Sequence, residues 1–247
     1  MRSRPRRPAL RAALDAAAVP TFTHKPADGP IRFTRAPGRL PPGLRVYAIA
    51  DIHGWAEKLT ALHRLIEADL SARPIPRATI AHLGNYLGHG PDSAAVVHML
   101  AAGPPHPHAT WVNLLGDHER MLLDAMDGDR PAATDFLHAG GSEALASWGL
   151  DRDLPREAWQ AALPAAHVAW LRSLALTHRV GDYLFVHAGI RPGVPLEAQS
   201  REDLTAMRQP FLSTEQDFGV VVVHGHSSSP TAMIARNRIG LDTGAGI

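Results

Sequence analysis

With 247 residues, 45% of them hydrophobic, the chain can bury one sizeable core. Its 25 lysines and arginines nearly balance 24 acids, and a formal charge of +1 provides no global field to draw nucleic acid or an anionic membrane. The absence of cysteine excludes disulfides, thiol catalysis and thiolate metal sites, and no apolar run approaches the length of a bilayer span, so a soluble cytoplasmic protein is expected.

Residues 1–40 read as an Arg/Pro-rich arm: Arg2, Arg4, Arg6, Arg7 and Arg11 precede the first acid, Asp15, and a Pro/Gly-rich stretch follows. Such a terminus suits a transit-like or anion-binding tail, and an extension without a packed structure is the expectation adopted. Residues 41–247 should form one domain. There the chain alternates between a strand period and a helix period, as layered α/β proteins do. "RVYAIA" reads as a buried strand, and "WAEKLTALHRLIEADL" as a helix with Leu59, Leu62, Leu65, Ile66 and Leu70 on one face. "TIAHLGN" is a second strand, before a helix capped by Asp92 or Ser93. "TWVNLLGD" is a third, leading into the helix "HERMLLDAM". Residues 128–178 read as helical cover, and "DYLFVHAG", "GVVVVHGH" and "RIGLDTG" supply three late strands.

Chemistry-bearing residues stand where these strands end. Asp51 and His53 follow the first, Asn85 the second, Asp117 and His118 the third, His187 the fourth, and His224 and His226 the fifth. Strand ends in a layered fold converge on one rim, where ligand sites form. Carboxylate and imidazole together suit borderline divalent ions such as manganese, iron or zinc. His224 is expected to fall behind the site or outside it. His63, His82, His98, His106, His108, His138, His167 and His178 are read as structural. "LDTGA" matches an aspartic-protease loop, but that chemistry needs two such carboxylates sharing a proton, and one copy is present.

"ADIHG", "GNYLGHG", "GDHE", "HAG" and "HGH", in this order, resemble the five blocks of bacterial serine/threonine phosphoprotein phosphatases within the calcineurin-like metallophosphoesterases. The resemblance covers about Leu40 to Ile247. It implies an α/β sandwich of two mixed β-sheets flanked by helices, with two divalent metal ions, manganese foremost, at the strand ends. It also implies phosphate-ester hydrolysis by a metal-activated water. By this resemblance Asp51, His53, Asn85, Asp117, His187 and His226 hold metal, and His118 protonates the leaving group. The substrate would be a phosphorylated protein or small molecule. Relatives usually continue with a further strand, so a shortened C-terminus is also an expectation.

Several positions depart from the family pattern. The metal-bridging Asp of the second block is Asn85, the Asp that orients the catalytic His is Gly88, and the phosphate-gripping Arg is His89; in the third block the usual Asn is Asp117. The Asp/Asn exchange moves a carboxylate without losing charge, which suits a rearranged metal site. His89 grips phosphate less firmly than an always-charged arginine, and Arg191 and Arg208 are candidate replacements. Gly88→Asp with His89→Arg is expected to restore hydrolysis of phosphoserine peptides. Two functions remain: a metal-dependent phosphatase with an altered site, and a catalytically silent protein that binds metal, a phosphorylated ligand or a partner.

Overall fold

The computed structural model describes residues 33–104, 109–151 and 154–245. Most of the N-terminal arm, and with it His106 and His108, lies outside the described residues. A compact unit begins at Pro37, and Arg39 already donates its backbone N–H to Asp182, 2.9 Å away.

Strands β1 (Leu44–Ile49), β2 (Arg77–His82) and β3 (Ala109–Asn113) form a parallel sheet in that order. Parallel neighbours need crossover connections, supplied by helices α1 (Ala56–Ala72) and α2 (Ser93–Ala102). Asp92 caps α2, its side chain accepting from the Ala95 N–H at 2.8 Å. The register sets Ile49 beside His82 and His82 beside Asn113, so the three strands stop level.

Helices α3 (Asp117–Met126), α4 (Arg130–Phe136), α5 (Ser142–Ser147), α6 (Arg156–Ala162) and α7 (Ala165–Arg172) make the helical cover, packed around Phe136, Leu145, Trp159 and Leu171. A second sheet has the order β4-β5-β6-β8-β7, from β4 (Thr177–Val180), β5 (Tyr183–Val186), β6 (Val221–His224), β7 (Met233–Ile234) and β8 (Arg238–Gly240). Strands β5, β6 and β8 run parallel, while β4 and β7 are antiparallel to their neighbours. Of the two sheets, therefore, the second is mixed and the first is parallel throughout its described strands. Helix α8 (Arg201–Ala206) packs Leu204 onto the outer face of the second sheet.

Between the sheets, Ala81, Leu83 and Leu114 meet Tyr183, Phe185, Val221 and Val223. Each large apolar side chain buried this way stabilises the sandwich by roughly 1.5–3 kcal/mol. Leu59, Ile66 and Leu70 seat α1 on the first sheet. Leu62 and Leu65, expected on the same face, are 42% and 52% exposed. Strand β1 is an edge strand, so the sheet ends before it reaches under them, and they border an apolar cavity of 460 Å³. Strands β4 and β7 escaped the sequence reading because "THRV" is only partly buried and "MI" spans two exposed residues.

Candidate metal centre

The loops after β1 and β2 are stitched together by backbone hydrogen bonds from His53 N–H to Asn85 O (2.7 Å), Gly54 N–H to Tyr86 O (2.8 Å) and Gly90 N–H to His53 O (2.6 Å). Glu119, fully buried on α3, accepts from the N–H groups of Asn85, Tyr86, Leu87 and Gly116 at 2.8–3.1 Å and so fixes the second loop. The sequence reading gave Glu119 no role, although it closes the quoted "GDHE" block.

Backbone strain is concentrated here. Among the described residues, the non-glycine residues with positive φ are Asp51 (47°), His53 (45°), Asn85 (55°) and His226 (60°). Left-handed backbone disfavours any residue with a Cβ, and where it persists the surrounding structure has over-determined it. All four belong to the six residues expected to hold metal.

Those six converge. Asp51 accepts from the His226 N–H at 3.0 Å and from Asn85 Nδ2 at 3.2 Å, while Asn85 Oδ1 accepts from the His118 N–H at 3.2 Å. Asp117 Oδ1 lies 3.0 Å from His187 Nε2 and 3.4 Å from His226 Nδ1. Donor atoms of Asp117, His187 and His226 all lie within 4.8 Å of one another, close enough to hold one ion. His53 and His118 stack edge-on with centroids 4.6 Å apart.

The tautomers suit a cation. His187 Nδ1 donates to Leu83 O at 2.8 Å, and His53 Nδ1 donates to Leu87 O at 3.0 Å. A backbone carbonyl on one ring nitrogen leaves the other free to ligate, as metal-binding histidines require. Burial pushes the Asp51 carboxyl above its usual range and the His53 imidazole below its own. For Asp117, burial works upward, but hydrogen bonds from His187 and His226 hold it well below the carboxylate range. Burial likewise opposes protonation of His187, yet its bond to Asp117 and the charges of Asp51 and Asp117 raise it to about 9. One buried and one partly buried carboxylate, Asp51 and Asp117, beside the imidazoles of His53, His187 and His226 form a donor set that fits borderline divalent ions.

Asp51, His53, Asn85, Asp117, His118 and His226 open onto a cavity of 330 Å³, lined also by His89, Arg208 and Asp242, whereas the fully buried His187 is not part of its lining. Arg208 Nε donates to His226 Nε2 at 3.2 Å, which leaves guanidinium N–H groups for an anion. Arg191, the other arginine expected at the substrate, is not part of this lining: its guanidinium is bonded to Asp203 and faces a neighbouring cavity. His224 is fully buried against Phe211 and stays outside the cavity, as expected. Asp242, set aside with the "LDTGA" match, occupies the cavity wall. The signal that found the other residues, an Asp, Asn or His ending an apolar segment near glycine, also marks it.

Positions 88 and 89 behave differently from the family pattern. A Cβ on Gly88 (φ 148°) would lie 2.4 Å from His53 Nδ1, so an aspartate there cannot coexist with the observed His53. His118 Nδ1 is correspondingly buried with no hydrogen-bond partner. Burial, reinforced by the charge at His53, lowers His118 to about 3, leaving a neutral imidazole. His89 is seated by a backbone kink at Gly140 (φ 91°), where a Cβ would lie 2.6 Å from His89 Nδ1.

The sequence profile of the Calcineurin-like phosphoesterase family matches residues 44–244. The chain belongs to this family. Among curated proteins it is similar to the symmetrical bis(5'-nucleosyl)-tetraphosphatases of Paracidovorax citrulli, 34% identical over 161 residues, and Methylococcus capsulatus, 26% identical over 154 residues. The matches cover 63% and 60% of this chain but 48% and 44% of those relatives, so the chain spans about half of their length. A crystal structure carrying a provisional diadenosine tetraphosphatase description superposes with a TM-score of 0.55 at 22% identity, covering 80% of this chain and 82% of that one. A cold-active protein tyrosine phosphatase follows at 0.52 and 17%, covering 84% and 73%. At such identities the structural likeness shows the fold, which is the calcineurin-like sandwich expected from the sequence. No helix among the described residues is long and apolar enough to cross a membrane.

Proposed function

We propose that this phosphoesterase-family chain is a metal-dependent hydrolase of phosphorus–oxygen bonds whose substrate is a small nucleotide polyphosphate. The observation that carries the reading is the confinement, among the described residues, of left-handed non-glycine backbone to Asp51, His53, Asn85 and His226, all on one cavity. Asp51, His53 and Asn85 would hold one divalent cation, and Asp117, His187 and His226 a second. Bound there, such cations neutralise phosphoryl charge and lower the pKa of water.

The protein's own groups do the rest. Arg208 and His89 face the cavity and bind the phosphate chain. Glu119 holds the Asn85–Leu87 backbone so that Asn85 keeps its aim at Asp51. His118, neutral and without a partner at Nδ1, is poorly equipped to donate a proton. A serine alkoxide needs that proton, and a well-placed acid contributes roughly 10²–10⁴-fold. A nucleoside phosphate leaves as a stable anion and does not. The leaving-group argument and the tetraphosphatase relatives therefore favour the same substrate class over a phosphorylated protein.

Manganese-loaded protein offered diadenosine tetraphosphate and a phosphoserine peptide tests this. The dinucleotide should be hydrolysed with kcat/KM at least about 10²-fold higher, the scale of one missing acid. Equal values, or a preference for the peptide, would overturn the substrate assignment. No turnover of either substrate with two ions bound would make the chain a silent metal- and phospholigand-binding protein instead.

A further inference from the structure

We propose that Asp242 supplies the third carboxylate of this metal centre, acting on the cation at Asp51 in place of the charge that Asn85 lacks. The inference rests on the metal-centre reading above. Asp242 follows β8, is only 8% exposed, and shares the cavity wall with Asp51, Asn85 and His53. Two acids on the wall of one cavity repel unless a cation lies near them. Among the described residues neither accepts a hydrogen bond from a basic side chain: Asp51 accepts from the Asn85 amide and the His226 backbone N–H, and Asp242 Oδ1 from the Gly244 N–H at 2.9 Å. Asn85 turns its neutral amide nitrogen to Asp51, 3.2 Å away, where a carboxylate would bring charge.

Asp242→Asn separates charge from shape, because an amide oxygen can still accept from Gly244. Manganese affinity and stoichiometry are measured by calorimetry on the full chain, in the native background and with Asn85→Asp, alongside the melting of each metal-free protein. Asp242→Asn should weaken manganese binding by about tenfold or more, the usual scale for a group supporting a metal site. With Asn85→Asp present, the same change should cost less than about threefold, because the two positions then supply the same charge. A loss of equal size in both backgrounds would overturn the proposal. So would a substitution that lowers the melting temperature equally with and without metal, which marks a purely structural role. Native protein that binds no manganese would instead overturn the metal-centre reading itself.

Discussion

The two halves of the candidate metal centre are built on opposite principles. Around Asp117 the protein is satisfied without a cation: the carboxylate lies between two imidazoles, and His187 holds a proton up to about pH 9 in partnership with it. Around Asp51 it is not. There, burial disfavours the charge of both Asp51 and His53, the backbone is held in left-handed conformations, and an amide stands where a carboxylate would serve. A proton on His187 stands in for metal in the first half, whereas in the second it offsets the burial of Asp51 only in part. Metal should therefore compete with protons at Asp117 and release strain at Asp51.

The comparison breaks most completely with Asp117→Ala. His187 is fully buried, so removing its counter-ion strands a buried charge, a change that costs about 3–5 kcal/mol. Denaturant unfolding in chelator should show this loss, and manganese stoichiometry should fall below that of the native protein. Unchanged stability in chelator would mean that the Asp117 half is not self-sufficient.

The second test bears on the strained half. Gly88→Asp, which the family pattern recommends, should destabilise by about 1–3 kcal/mol through left-handed strain and displacement of His53. It should weaken manganese binding and leave phosphoserine hydrolysis unrestored. A rise in peptide hydrolysis with unchanged stability would show that His53 yields readily and that this half is less constrained than its geometry indicates.

The most gradual effect is a pH dependence. His187 has a folded pKa raised above its unfolded value of about 6.5, so its contribution is full below that value and is lost as pH rises through about 9. Asp117 has a lowered pKa, so its contribution is present above its unfolded value and is lost only in strong acid. Metal-free stability should thus fall between about pH 6.5 and 9, with a slope of at most about 1.4 kcal/mol per pH unit for one proton. Manganese should reverse the trend, because binding requires the neutral imidazole. Urea midpoints across this range, with and without manganese, check the sign.

Much of the candidate site was legible because strand ends announce themselves: Asp51, Asn85, Asp117, His187 and His226 each follow an apolar run, and parallel register brings such ends level. Asp242 obeyed the same rule but was set aside for an unrelated likeness. Arg191 and Arg208 could not be told apart, since each follows a local signal in a loop. Whether such an arginine meets the substrate depends on a partner distant in sequence: Asp203 claims Arg191 twelve residues away, while His226 turns Arg208 toward the cavity.

By itself the sequence determined the alternation of elements, the family blocks and the kinds of donor at the rim, because periodicity and residue chemistry are local. It determined the departures at 85, 88 and 89 as well, but not their consequences. Only the tertiary structure decided that Gly88 is occupied space beside His53, that His118 is left with an unpartnered nitrogen, and that Leu62 and Leu65 lie beyond the sheet's edge. Each of these depends on which distant segment packs against the residue, and burial and close approach between segments far apart in the chain have no period that a sequence can display.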